Sequence, residues 1–147
     1  MEIETIEAKT IKGLCLKTSN KKESNAETGQ IPGLWQLFNN NVDLDGGNSV
    51  YGVYYDYEPD ATGDFNVLAG TDQLDITSVL KLETIDIKAG KYAVFYAKGE
   101  MPQTVIDTWG EVWKYFSQDN AEHKRTYATD FEHYVNNSEL KIYIAIE

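Results

Sequence analysis

The chain has 147 residues, 24 acidic and 13 basic, for a net charge of −11; that length suits one domain with a real core, and that field argues against nucleic acid or anionic lipid as direct partners. Its 41% apolar content, with ten Tyr, five Phe and three Trp, excludes disorder on composition. A lone cysteine, Cys15, excludes an internal disulfide, and within "GLCLK" it reads as a small buried hydrophobe suited to a reducing cytoplasm.

In chain order, the acidic start "MEIETIE" lacks the basic and apolar regions of a signal peptide, and no stretch reaches the length of a membrane span. Both point to the cytoplasm. Residues 4–18 carry Ile6, Ala8, Ile11, Leu14 and Leu16 with a parity shift near Gly13, the pattern of one long strand with a bend. The polar run 19–30 reads as a loop. In "IPGLWQLFNN", Pro32 sits where a first helical turn tolerates it, and Leu34, Trp35, Leu37 and Phe38 fall at helical spacing. "SVYGVYYDYE" (49–58) is a strand by its Tyr and Val content, and "FNVLAGT" (65–71) is its hairpin partner.

The order then recurs. Within 83–99, Tyr92 to Ala97 forms a strand bounded by Gly90 and Gly99. "MPQTVIDTWGEVWKYFSQ" (101–118) is a helix with Val105, Trp109, Val112, Trp113 and Phe116 along one stripe. "TYATDFEHY" and "LKIYIAIE" close the chain as a strand pair. Overlaying the halves, about 2–75 and 83–147, sets Trp35 on Trp113, Phe38 on Phe116 and Asp56 on Glu132. Two βαββ units joined about a pseudo-two-fold axis would leave a cleft there for a ligand.

The acidic loop "NVDLDG" (41–46) resembles the first half of a calcium loop, but the twelfth position is Gly52 where a bidentate Glu is required. His123 and His133 have no Cys cluster beside them, so no metal site is expected, and no phosphate loop or nucleophile motif implies a cofactor. Ten tyrosines are more phenol than a small core satisfies, so some should line a cleft. On its strand Glu132 shares a face with Asp130 and Tyr134, with Phe131 and His133 on the other. If Phe131 packs under the helices, Glu132 faces the opposite side, where it is exposed, paired with a cation such as Arg125, or held for a cationic ligand.

The helix "IPGLWQLF", the strand "YGVYYDYE", the run "IKAGKYAVFYAKGEMP", the helix "VIDTWGEVWKYF" and "DFEHY" before "LKIYIAIE" together resemble the GyrI-like, or AraC-type, effector-binding domain family, over roughly residues 2 to 147. The resemblance implies an α+β fold, a single effector-binding domain over 1–147. Its duplicated βαββ units would form an antiparallel sheet with two main helices and a central pocket for small molecules, often hydrophobic cations. It makes Glu132 the acidic residue that meets the ligand's charge, and Trp35, Tyr51, Tyr54 and Trp109 the pocket aromatics. Many members carry a DNA-binding helix-turn-helix before this domain, whereas this chain starts at the first strand; a stand-alone ligand binder, or an effector domain acting through a protein partner, is therefore expected. Two other functions stay open: a hydrolase of reactive electrophiles with Glu132 as general base and Asp56 or a Tyr as acid, and an acidic surface that imitates DNA to a basic partner, as in the gyrase-inhibiting branch.

Overall fold

The computed structural model describes residues 1–147 except 26, 43, 45–48, 59–62 and 137. The elements in chain order are β1 (Glu2–Ile6), β2 (Lys9–Ser19), α1 (Asn20–Glu23), α2 (Ile31–Asn41), β3 (Val50–Glu58), β4 (Asp64–Thr71), β5 (Glu83–Ile87), β6 (Gly90–Lys98), α3 (Gln103–Phe116), β7 (Arg125–Asn136) and β8 (Glu139–Ile146). The strands make one curled antiparallel sheet in the order β1-β6-β8-β7-β3-β4-β2-β5. That order is symmetric about the β3/β7 pair: β6-β8-β7 on one side answers β2-β4-β3 on the other, with β1 and β5 as the outer strands. The β, α, β, β sequence thus occurs twice, and the two copies meet in the middle of the sheet.

Two strands differ from the sequence pattern. The expected long strand of residues 4–18 breaks at 7–8 into β1 and β2, which pair at opposite ends of the sheet, β1 with β6 and β2 with β4 and β5. The parity shift near Gly13 lies inside β2, where its pairing changes from β5 (Lys9–Gly13) to β4 (Lys12–Ser19). A Cβ on Gly13 would lie 2.0 Å from the Ala69 carbonyl oxygen, so only glycine allows that approach. The segment 83–99 likewise divides into β5 and β6. The polar run 19–30 holds the one-turn α1, capped by the Ser19 side chain, which accepts from the Lys22 N–H. Glu23 then accepts from the backbone N–H groups of Gln30 and Ile31 and so places a negative charge at the start of α2.

Both helices lie on one sheet face. α2 packs on β2 and β4 through Leu34 and Phe38, and α3 packs on β6 and β8, with Val112 fully buried. The other face has its own core of Ile11, Val53, Leu68, Ile87, Tyr92 and Phe131, which the curl of the sheet closes over. Trp113, expected on the buried stripe of α3, is 51% exposed, because the buried face of that helix is centred on Thr108 and Val112. Of the loop 41–46, residues 43, 45 and 46 lie outside the described residues.

Candidate functional site

At the centre of the sheet Gly52 of β3 pairs with Glu132 of β7, and Tyr54 pairs with Asp130. Paired residues share a face, so Gly52, Tyr54, Asp130, Glu132 and Tyr134 all look the same way. That way is toward the helices. Phe131 lies on the helix-free face, stacked at 4.3 Å on Tyr143 and packed edge-on to Tyr92. The expected facing is therefore reversed: Glu132 sits beneath α2 and α3. The reason is that the sheet buries a core on both sides, so the size of Phe131 does not mark the helix side.

Glu132 is 2% exposed. Its carboxylate accepts hydrogen bonds from the Trp109 indole N–H at 2.6 Å, the Tyr54 hydroxyl at 2.9 Å and the Tyr134 hydroxyl at 2.9 Å. All three donors are neutral. Burial pushes its pKa above the ordinary value of 4.5, and the three hydrogen bonds, which favour the charged form, offset that in part. The same carboxylate and burial push the Tyr54 and Tyr134 hydroxyls well up, so both remain protonated donors.

Asp130, two residues away on the same face, is the instructive contrast. Its carboxylate meets the Arg125 guanidinium at 2.6 Å, and both side chains are almost wholly buried. Tyr57 and the Ala145 N–H complete its shell at 2.6 and 2.9 Å. Arg125, the cation weighed as a partner for Glu132, thus neutralises Asp130. Among the described residues Glu132 makes no ion pair.

The aromatic walls come from both halves. Trp109 of α3 packs edge-on to Tyr54 at 5.2 Å, and Trp35 of α2 packs edge-on to Tyr134 at 5.3 Å. Both tryptophans are half-buried. Gly52 forms the floor: a Cβ there would lie 2.6 Å from Glu132 Oε1 and 3.1 Å from the Trp35 ring. The structure therefore brings Trp35, Tyr54 and Trp109 together around Glu132. It does not bring Tyr51, which lies on the opposite face, stacked on His133 at 4.6 Å and accepting from the Lys9 ammonium at 2.8 Å. Its neighbour Gly52 has the right parity and Tyr51 the wrong one. Asp56 is exposed at a φ of 54° and bonded to Asn66, away from Glu132, which removes one acid considered for a hydrolytic pair.

Sequence reasoning missed Gly52 and Tyr134. A glycine inside a Tyr- and Val-rich strand signals close approach of another group, and Tyr134 shares the parity of Glu132. Among the described residues no group of three or more His, Cys, Asp or Glu could hold a metal ion, and no helix is long and apolar enough to cross a membrane.

The family model described as GyrI-like small molecule binding domain matches residues 1–147. YobU of Bacillus subtilis (strain 168), named as a transcriptional regulator protein, is 31% identical over 97% of this chain and 94% of its own. The integron cassette protein VCH_CASS2, from the mobile metagenome of Vibrio cholerae, is 39% identical with a TM-score of 0.92, over 99% of this chain and 95% of that one. SAV2435, solved bound to tetraphenylphosphonium, shares the fold at 18% identity and a TM-score of 0.69, over 99% of this chain and 93% of that one.

Proposed function

The chain belongs to the GyrI-like small-molecule binding domain family, and from that premise we propose that its ligand is a lipophilic, aromatic cation held against Glu132 between α2 and α3. The observation that carries this reading is a carboxylate 2% exposed, held by three neutral donors, beside a second buried carboxylate that has its own arginine. Removing an ion from water costs several kcal/mol after relaxation. A fold that supplies Arg125 to Asp130 and nothing of that kind to Glu132 reserves the second charge for a cation from outside.

The walls suit the same ligand. The faces of Trp35, Tyr54, Trp109 and Tyr134 each add cation–π attraction of about 0.5–2 kcal/mol once desolvated. Glu132 is 2% exposed beneath them, so on this reading the partly buried Trp35 and Trp109 move outward to admit the ligand. That a protein of the same fold is bound to tetraphenylphosphonium supports this reading. That YobU is named as a transcriptional regulator protein supports a role for the bound state in transcription.

Titrating the protein with tetraphenylphosphonium while following tryptophan fluorescence tests the proposal. Saturable quenching is expected, with affinity falling at least about tenfold, or 1.4 kcal/mol, in Glu132→Gln. Equal affinity in that variant would exclude Glu132 as the counter-charge.

A further inference from the structure

A cavity of about 420 Å³ opens on the helix-free face of the sheet. It lies back to back with the Glu132 site, because its Tyr51 and His133 pair across β3 and β7 one residue from the Gly52–Glu132 pair. Two flat stacks line it: Tyr51 on His133 at 4.6 Å and Phe131 on Tyr143 at 4.3 Å, each within 7° of parallel. Residues 5–9, from the end of β1 to the start of β2, form the remaining wall together with Ile87. Its volume and its mostly apolar, aromatic lining are those of small-ligand pockets.

The polar groups there differ in sign from those of the Glu132 site. The Lys9 ammonium donates to the Tyr51 hydroxyl at 2.8 Å and to Asp72 at 3.2 Å, and a lysine has three donors, so one is left for a ligand. His133 Nε2 is buried with no hydrogen-bond partner among the described residues. Besides burial, the nearby Lys9 and Lys141 both hold the His133 imidazole below its ordinary pKa, against an opposing effect of Asp72. Lys9, itself ion-paired to Asp72 at 3.2 Å, and Lys141 thus bring positive charge to the His133 side of the cavity, inside a molecule of net charge −11. Glu7 lines the cavity as an exposed residue and disfavours a ligand with a second negative charge.

We propose that this cavity is a second binding site, for a small planar aromatic monocarboxylate whose ring lies along the Tyr51–His133 and Phe131–Tyr143 stacks and whose carboxylate accepts from Lys9. The site stands independently of Glu132, and its ligand is opposite in charge to the lipophilic cation proposed for the helix face.

The probe is 1-naphthoate, with naphthalen-1-ylmethylammonium as its cationic counterpart. Followed by calorimetry and by NMR of the His133 ring protons, naphthoate binds, shifts the His133 signals and is not displaced by tetraphenylphosphonium. The ammonium analogue leaves those signals in place. Lys9→Met, which keeps the aliphatic stem along Tyr51, weakens naphthoate roughly tenfold while the NMR spectrum stays dispersed. Absence of His133 shifts at millimolar naphthoate, unchanged affinity in Lys9→Met, equal response to the ammonium analogue, or displacement by tetraphenylphosphonium each overturns the proposal.

Discussion

Glu132 and Asp130 show how two carboxylates on one strand face are given different roles by what surrounds them. For Glu132 the folded state raises the pKa, so folded protein holds that proton more tightly than unfolded chain does. Where pH exceeds the ordinary value of 4.5, the folded state binds more protons than the unfolded one, and unfolding free energy falls as pH rises until the buried carboxyl has ionised. Glu132→Gln removes that falling limb. Its stability relative to the parent therefore grows from pH 4.5 upward in denaturant unfolding at a series of pH values; a difference that stays flat contradicts the assignment. Asp130 behaves oppositely. Arg125→Met leaves its charge buried and unpaired and is expected to cost about 3–5 kcal/mol in urea unfolding, whereas an isolated surface pair would cost under about 1 kcal/mol. Gly52→Ala drives a methyl to 2.6 Å from Glu132 Oε1, which accepts from Tyr134 and belongs to a carboxylate whose other oxygen is held by Tyr54 and Trp109. A loss of about 1–3 kcal/mol is expected, by the same unfolding measurement, with cation binding lost in the variant.

The helices supply the two tryptophans, and their legibility differs from that of the strands. α2 and α3 stand where the apolar spacing and Pro32 and Pro102 set them, because an amphipathic face over 11 or 14 residues is a strong local signal. Strand parity placed Asp130, Glu132 and Tyr134 on one face, as the structure has them, but parity cannot say which face the helices cover. With a core on each side, the hydrophobic content of Phe131 carried no such information; Tyr51 was named from its place in the family pattern, and strand parity sets it opposite Gly52 and Tyr54. The break between β1 and β2 was illegible because it depends on pairing with β6, some 90 residues away in the chain for Ile3 and Ala93. At this scale, Trp109→Phe keeps the ring against Tyr54 but deletes the N–H bond of 2.6 Å to Glu132. The variant is expected to fold with little change and to bind tetraphenylphosphonium with a further upward shift of the Glu132 pKa, seen as a binding optimum displaced to higher pH.

The whole molecule adds long-range attraction to this local chemistry. A net charge of −11 draws cations to the surface, ahead of any contact with the proposed site. Raising ionic strength should slow association of tetraphenylphosphonium in stopped-flow traces and leave dissociation nearly unchanged, since a buried ion pair is screened far less than the approach to it. The duplicated fold sets the Glu132 carboxylate where its two halves meet, with one tryptophan from each half nearby. The central claim is that this charge, rather than apolar area, chooses the ligand. Its most direct test compares the affinities of tetraphenylphosphonium and the neutral triphenylphosphine oxide in the parent and in Glu132→Gln. The parent should favour the cation by at least about tenfold, and the variant should bind the two alike; a preference for the cation that survives in Glu132→Gln would contradict the account.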